Sequence, residues 1–238
     1  MKIIIINGTS YKGCTYQMKE MFLNSMGLDN DIVEYYLPKD SPNFCTGCKT
    51  CFNKDISACP HSKYTSPIWD SIINSDLIVF TSPVYVFHVV GQVKALLDHF
   101  GTKWMAHSPA KEMFTKKAVI ITNAVGQGMN NVIKDIGDSL DFWGIAKRYS
   151  IKQALYDIDW SKVSLKRKNN IKKQCDKISK KVQKEIKKPR LKIRILFTVM
   201  SIAQKLIHKS LVKKGDPSTT DYLYWKENGW LDGKKPWK

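Results

Sequence analysis

The sequence has few acidic residues and lacks several of the common ligand-binding motifs. Its 238 residues include 21 aspartates and glutamates against 39 lysines and arginines, which gives a net charge of +18. Its glycines form neither G-x-x-x-x-G-K-S/T nor G-x-G-x-x-G, which argues against a nucleoside-triphosphate site or a dinucleotide site. No secretory signal is recognisable, because the four isoleucines of residues 3–6 are too few for a signal core. We therefore expect a cytoplasmic protein.

Three short apolar runs are typical of buried parallel strands, and each is followed by small or polar residues. The runs and the segments that follow them are 3–6 with 7–15, 77–80 with 82–86, and 118–122 with 123–128. In a doubly wound sheet the carboxyl ends of such strands meet at one crevice, where these sheets bind ligands. The three segments together predict a ligand site more strongly than any one of them.

The first of these segments, residues 7–15, has the composition of an anion site. A helix that starts near Thr15 would offer free backbone N–H groups and the positive end of its dipole. The hydroxyls of Thr9, Ser10 and Thr15 could add donors, and the glycines would let the backbone approach a ligand closely. We expect Thr15 to be the N-cap of the helix. The alternative is an ordinary polar turn between a strand and a helix.

The second and third segments suit a planar ligand. Pro83 is expected to stop the strand, because proline lacks the backbone donor that a sheet requires. Tyr85 would then lie just beyond the strand, where a planar cofactor could rest against its ring. Gly126 and Gly128 would allow a tight turn or contact with the edge of such a ring.

These segments carry a resemblance to a known family. Asn-Gly-Thr-Ser…Gly-x-Thr follows the first strand, and Ser-Pro-Val-Tyr is followed by Lys-Ala-Leu-Leu-Asp at residues 94–98. This pattern resembles the flavodoxin-like NAD(P)H-dependent FMN reductases, and within that family the iron–sulfur flavoproteins. The resemblance covers roughly residues 1–155.

The resemblance implies FMN as the cofactor and NAD(P)H as a co-substrate. The first segment would hold the FMN phosphate, the second would touch the isoalloxazine and the third would line its far edge. Tyr11 stands near the family's usual arginine, and Lys12 would substitute for that arginine. The residues implied to bind the cofactor are Gly8, Thr9, Ser10, Lys12, Cys14, Thr15, Pro83, Val84, Tyr85, Val86, Asn123, Ala124, Gly126 and Gly128.

Four of the six cysteines form one run, at Cys45, Cys48, Cys51 and Cys59. Clustered thiols in a reducing compartment indicate metal or cluster ligation rather than disulfides. The spacing approximates the bacterial cluster run, although the last gap is longer, and the iron–sulfur flavoproteins carry a compact run of this type. We therefore favour a 4Fe–4S cluster. The alternatives are a four-thiolate zinc site and free thiols in a loop that packs over the flavin.

The remaining thiols and the histidines give no metal prediction. Cys14 and Cys175 have no evident partner and are expected to be ordinary thiols. His61, His99 and His107 lack metal-ligand spacing with one another.

Most of the positive charge lies in residues 161–214. This stretch holds 19 lysines and arginines against Asp176 and Glu185, a net charge of +17, and the rest of the chain is nearly neutral. Two amphipathic helices are predicted, at 161–188 and 191–212. Lysines interrupt the second helix too often for us to expect a membrane span.

The apolar stripe of the second helix allows more than one interpretation; it consists of Leu191, Ile195, Val199, Ile202 and Leu206, widened by Ile193, Phe197 and Met200. We favour packing of this stripe on the core or on a second subunit, with the lysines in solvent. The alternative is an anionic membrane surface, at which the protein would be peripheral on the inner face. Nucleic-acid binding ranks last, because no nucleic-acid-binding motif accompanies the charge.

The last stretch, residues 222–237, is rich in large aromatic residues. Such rings bury large areas, so we expect the tail to fold back onto the protein or to reach a partner subunit. A homodimer or higher homo-oligomer is expected.

The predicted fold class is α/β, a flavodoxin-like, doubly wound, five-stranded parallel sheet in the order 2-1-3-4-5. Its strands and helices are predicted near 2–6, 31–37, 77–81, 117–122 and 146–154, and near 15–27, 66–75, 90–101, 129–143, 161–188 and 191–212. Residues 1–158 would form the FMN-binding domain with a cysteine-rich loop at 44–60, and residues 159–238 a basic helical extension with an aromatic tail.

The predicted function is that of an FMN-dependent NAD(P)H oxidoreductase that passes electrons to a small acceptor or to a redox cluster. Two alternatives stand beside it. The first is a flavodoxin-like electron carrier without pyridine-nucleotide activity, and the second is a scaffold associated with a membrane surface.

Overall fold

The computed structural model describes all 238 residues and contains one five-stranded sheet in the order β2-β1-β3-β4-β5. The strands are β1 (Lys2–Asn7), β2 (Asp31–Tyr36), β3 (Leu77–Pro83), β4 (Lys117–Ala124) and β5 (Lys147–Ala154). All four neighbouring pairs are parallel. The predicted order is confirmed, and each strand lies within two residues of its predicted ends.

Eight α-helices surround the sheet or extend from it. They are α1 (Cys14–Met26), α2 (Thr50–Asn53), α3 (Ser62–Asn74), α4 (Gly91–His99), α5 (Met129–Phe142), α6 (Leu165–Val182), α7 (Leu191–Lys213) and α8 (Thr220–Glu227). The sequence did not predict α2 or α8.

Two predicted helices had wrong ends. Helix α3 begins at Ser62 and continues through Pro67, because its buried Ile68, Trp69 and Ile72 hold it against the sheet. Helix α6 is shorter than predicted and ends at Val182, its last fully buried apolar residue. Lysine-rich chain beyond that point has no packing surface that would maintain a helix.

The central strands β1, β3 and β4 are buried on both faces, and their successive residues alternate between two cores. Ile4 and Ile6 of β1 pack with residues of α3, α4 and α5. Ile3 and Ile5 pack on the opposite face with residues of α1 and α6. Helix α6 therefore completes the layer that α1 begins, although it lies beyond the predicted boundary at residue 158. That boundary stays a prediction.

The aromatic tail folds back onto the protein. Trp225 and Trp230 are buried against Phe197 of α7, and this third cluster also takes in Met105 and Phe114. The indole Nε1 of Trp225 donates a hydrogen bond to the carbonyl oxygen of His107, at 2.7 Å. The cluster joins α7 and α8 to the edge of the α/β layers.

Packing of the apolar stripe of α7 on the core or on a second subunit was predicted, and within this chain only its Ile193 and Phe197 are buried. Packing on a second subunit stays a prediction. Residues Leu191, Ile195, Val199, Ile202 and Leu206 are all exposed. The buried side of the helix consists of Ile193, Phe197, Ser201 and Gln204. The aromatic cluster accepts Phe197, while both faces of the sheet are already covered by other helices. Helix α7 therefore has no protein surface left for its stripe.

By length and composition α7 is also the one helix that could span a membrane. It has 23 residues, and its most apolar 18-residue window has a mean hydropathy of 1.3. This differs from the prediction that its lysines exclude a span, since by this criterion they do not.

Candidate functional site

Three loops meet at the carboxyl ends of β1, β3 and β4, as the sequence predicted, and form a cleft of ≈ 230 Å³. The predicted residues that line it are Thr9, Cys14, Thr15, Pro83, Val84, Tyr85, Asn123 and Ala124. Five lining residues are additional to the prediction, namely Tyr11, Gly13, Val125, Asp157 and Ile158. Asp157 and Ile158 follow β5 at the same rim of the sheet, so the rule that found the other loops could have found them.

The first loop leaves its backbone donors free. None of the N–H groups of residues 9–16 donates a hydrogen bond within the protein, and the start of α1 has no side-chain cap. Free N–H groups at a helix start, together with the helix dipole, favour an anion. Gly8 lies below the loop, where an added Cβ would stand 2.6 Å from the carbonyl oxygen of Thr81.

Thr15 has a different role from the predicted one. The helix begins at Cys14 after Gly13, so Thr15 lies inside the first turn and is not the N-cap. Its hydroxyl instead donates to the side-chain oxygen of Asn123. This hydrogen bond ties the first loop to the third, which only the three-dimensional arrangement could reveal.

The second loop is a strained hairpin. Tyr85 and His88 pair with each other, and Val86 and Phe87 between them have φ values of 48° and 65°. Positive φ at both central residues is the geometry of a type I′ turn, which normally selects Asn-Gly. The side chains of Tyr85, Val86 and Phe87 are 56%, 93% and 59% exposed. Strain and exposed apolar groups together are typical of a functional loop.

Strand β3 ends at Pro83, as predicted, although it runs two residues past its predicted end at residue 81. The strand includes Ser82 and Pro83, and Pro83 pairs with Asn123 of β4. Pairing to the end of the strand holds the second and third loops side by side.

The remaining predicted residues lie around the cleft but not in its lining. The Ser10 hydroxyl donates to the carbonyl oxygen of Leu37 at 3.4 Å, and the Lys12 ammonium lies 5.3 Å from the ring centroid of Tyr16. Gly126 and Gly128 line a neighbouring cleft of ≈ 430 Å³ at the start of α5. Gly128 has φ +94°, and a Cβ there would stand 2.6 Å from Val84, so glycine lets the third loop contact the second.

Cys14 is a free, buried thiol. Burial, followed by the charges of Asp157 and Asp159, raises its pKa. Its sulfur donates to the carbonyl oxygen of Ile158 at 3.3 Å.

A larger cleft of ≈ 580 Å³ lies between α4 and α5 and reaches His88 at the end of the second loop. Its charged groups are already paired: His88 Nδ1 lies 3.0 Å from Asp135 Oδ2, and Lys94 pairs with Asp98. The cleft of the three loops, with its free donors, is the better candidate for an anionic cofactor.

The cysteine-rich loop, residues 44–60, carries all four thiols of the predicted cluster site. All are free; Cys45 and Cys48 are exposed, and Cys51 and Cys59 are half-buried. Burial, then the charge of Cys59, then those of Cys45 and Cys48, raise the pKa of Cys51. A bound cation or cluster would relieve this destabilisation of the Cys51 thiolate. The donor set fits a thiolate-ligated group.

Two histidines join this loop, which the sequence did not predict. The ligand atoms of Cys59, His61 and His99 all lie within 4.8 Å of one another. His99 Nε2 lies 3.1 Å from the carbonyl oxygen of Asn43 and must donate to it, which leaves Nδ1 as the acceptor, 3.9 Å from the sulfur of Cys59. Burial lowers the pKa of His99 and keeps it neutral. The Cys59-Pro60-His61 sequence was a signal for part of this group, but His99 comes from a distant helix.

Comparison with known proteins identifies the family. The model of the NADPH-dependent FMN reductases matches residues 1–154. The chain belongs to this family. The flavodoxin-like fold class is thereby confirmed together with the sheet order, and the protein is a flavin oxidoreductase.

Two archaeal relatives are iron–sulfur flavoproteins. The one from Methanocaldococcus jannaschii is 28% identical over 99 residues, which are 41% of this chain and 50% of that protein. This chain thus matches about half the length of that relative. The one from Archaeoglobus fulgidus is 22% identical over 209 residues, 84% of this chain and 86% of the relative.

Solved structures of FMN reductases share the fold. An NADH:FMN oxidoreductase in its apo form has a TM-score of 0.56 at 17% identity, over 80% of this chain and 95% of its own. An FMN-dependent NADH-azoreductase from Bacillus anthracis, in complex with FMN, has a TM-score of 0.56 at 15% identity, over 77% of this chain and 100% of its own. At these identities the likeness concerns the fold.

Proposed function

We propose that this member of the FMN reductase family binds FMN in the cleft of the three loops, oxidises NAD(P)H there and passes the electrons to a small-molecule acceptor. The observation that carries the proposal is the row of unused backbone N–H groups at residues 9–16, directly beside the exposed ring of Tyr85. One end of the cleft suits a phosphate, and the other suits a planar ring system.

Each loop has a separate task in this proposal. Residues 9–16 would hold the phosphate through main-chain donors, and the hydroxyl of Thr9 would add to them. The Tyr85 hairpin would lie along the ring system and keep water from one side of it. Asn123, fixed by its bond to Thr15, would present its side chain and the following backbone to the ring edge. When bound, FMN supplies the hydride and electron chemistry, and the protein supplies position and electrostatics.

The alternative, an electron carrier without pyridine-nucleotide activity, differs in whether NADH or NADPH reduces the bound flavin. Anaerobic addition of NADH or NADPH should bleach the flavin absorption of the purified protein within seconds. Bleaching only by a chemical reductant such as dithionite would favour the carrier. A protein that retains no flavin at all would favour the scaffold.

Gly8 provides the sharpest test of the phosphate site. An alanine Cβ there would meet the carbonyl oxygen of Thr81 at 2.6 Å and Val90 and Val93 at 3.0 Å, so Gly8→Ala must displace the loop backbone. We expect Gly8→Ala to weaken FMN binding by about tenfold or more, measured by fluorescence titration of the apoprotein with FMN.

The matched control is Gly91→Ala. A Cβ at Gly91 meets nothing within 4 Å, and its φ is not positive, so the same change should leave FMN affinity unaltered. Equal affinities for both variants would show that the first loop does not hold the phosphate.

We also propose that Cys45, Cys48, Cys51 and Cys59 hold a 4Fe–4S cluster, which would accept electrons from the flavin. The four free thiols and the raised pKa of Cys51 support this proposal, as do two relatives named iron–sulfur flavoproteins. Zinc on Cys59, His61 and His99 is the competing use of the same loop.

Metal analysis after anaerobic purification separates these two uses. A cluster predicts about four iron and four sulfide per chain, lost in Cys48→Ser and retained in His99→Gln. Cys175→Ser is the control, because burial raises the pKa of Cys175 to about 12 and removes it from ligation. One zinc per chain, lost in His99→Gln but retained in Cys48→Ser, would contradict the cluster.

A further inference from the structure

Helix α7 carries an apolar face that the protein does not cover. Leu191, Ile195, Val199, Ile202 and Leu206 follow one another at steps of three and four residues, so they lie on one side of the helix. Each is between 49% and 63% exposed. We call these five residues the α7 stripe. Soluble proteins rarely expose such a continuous apolar row without a binding function.

The other side of α7 is fixed to the protein, and this determines where the stripe points. Phe197 is fully buried, with its ring stacked on Trp225 at a centroid distance of 4.9 Å. The Gln204 amide donates to the carbonyl oxygen of Ala106 at 2.7 Å, and the Ser201 hydroxyl donates to that of Trp230 at 3.2 Å. The stripe lies opposite these contacts and faces solvent.

Positive charge surrounds the stripe. Residues 191–215 include no aspartate or glutamate. Lys209 and Lys213 continue the line of the stripe beyond Leu206, and both are exposed. Exposed Lys187 and Lys188 lie just before the helix. The surface that complements this helix is therefore apolar in its interior and negatively charged at its boundary.

We propose that α7 docks on an anionic lipid bilayer, lying in the plane of the surface with the α7 stripe among the lipid chains and its lysines at the headgroups. An apolar face bordered by lysines is the composition of interfacial helices, and each basic residue near an anionic leaflet adds attraction. The helix lies on the surface because spanning the bilayer would require Phe197 and Gln204 to leave their protein partners. This surface is separate from the flavin cleft, and the proposal does not depend on the flavin.

Flotation of the full-length protein with vesicles tests the proposal. The vesicles are phosphatidylcholine alone, or phosphatidylcholine with about one-third phosphatidylglycerol. The stripe variant is Ile202→Gln with Leu206→Gln, and the charge variant is Lys205→Gln with Lys209→Gln and Lys213→Gln. The matched control is Leu28→Gln with Leu165→Gln, which removes two leucines that are 98% and 76% exposed elsewhere on the protein. Urea midpoints confirm that each variant is folded.

The wild type and the control should float with the anionic vesicles and remain at the bottom with the neutral ones. Both the stripe variant and the charge variant should bind the anionic vesicles at least about tenfold more weakly. If the stripe variant floated with the anionic vesicles as well as the wild type does, the proposal would be overturned. The helix would then bind only through its positive charge, as a nucleic-acid-binding surface does. Resistance of the bound protein to carbonate extraction would overturn it in favour of a span. If the wild type did not float and formed an oligomer that the stripe mutations dissociate, the proposal would be overturned and the stripe would be a subunit contact.

Discussion

At the scale of single residues, the hairpin after β3 has an unfavourable backbone conformation at Val86 and Phe87. Val86 and Phe87 both have left-handed backbone conformations, which cost about 1–2 kcal/mol for each residue with a side chain. Asn-Gly would form the same turn without that cost. The chain instead places exposed apolar side chains beside the cleft.

This strain leads to a prediction with opposite effects on stability and on binding. Val86→Asn with Phe87→Gly should raise the free energy of unfolding by roughly 1 kcal/mol, measured by urea denaturation of the apoprotein, because both new residues accept positive φ. FMN affinity should fall, because the apolar edge of the cleft is lost.

Lys49→Asn is the control for the hairpin variant. Lys49 also has positive φ, at 61°, but lies in the cysteine-rich loop. Its substitution should relieve strain without a change in FMN affinity. If the hairpin variant bound FMN as the wild type does, Val86 and Phe87 would have no part in the flavin site.

At the scale of secondary-structure elements, a buried carboxylate joins three of them. Asp141 of α5, with a side chain 2% exposed, pairs with Arg148 of β5 at 2.8 Å and with Lys192 of α7 at 2.8 Å, and it also pairs with Arg190. Burial alone would raise the pKa of Asp141. Hydrogen bonds from Arg148 and Lys192, with the charges of Arg148 and Arg190, instead hold that pKa below its usual value.

We expect Asp141→Asn to lower the free energy of unfolding at pH 7 by about 3–5 kcal/mol, because it removes the one carboxylate that these cations share. A carboxyl with a depressed native pKa stabilises the fold above its unfolded pKa of about 3.9, and that contribution is lost as the pH falls through the native value. The difference in free energy of unfolding between wild type and variant, measured by urea denaturation, should therefore have its full value at pH 7 and become smaller below about pH 4.

Asp138→Asn is the control for Asp141→Asn. Asp138 pairs with Lys134 on the exposed side of the same helix, and screened surface pairs contribute little. If both variants had the same stability as the wild type, Asp141 would not anchor the start of α7.

At the scale of the whole molecule, charge and chemistry occupy different regions. The proposed flavin cleft lies at the rim of the sheet, whereas the net charge of +17 lies in residues 161–214, which include α6 and α7. The aromatic cluster of Phe114, Phe197, Trp225 and Trp230 connects α7 and α8 to the edge of the α/β layers. The proposed flavin site and the α7 stripe thus lie on different parts of the molecule.

The sequence by itself determined the sheet, its order and the three loops. Runs such as residues 3–6 and 77–80 are buried on both faces, and local periodicity is sufficient to recognise them. The polar and glycine-containing residues after each run then identified most of the cleft, because the carboxyl ends of neighbouring parallel strands meet at one rim.

Only the tertiary structure decided which side of α7 is buried and which residues join across the chain. Periodicity shows that a helix has an apolar face but does not show what is available to cover it, and in this protein the aromatic tail took the side of Phe197 and left the stripe outside. In the same way, His99 reaches Cys59 and Thr15 reaches Asn123 only because distant segments fold onto one another. Contacts between residues far apart in the chain depend on the packing of whole elements, and no local pattern encodes them.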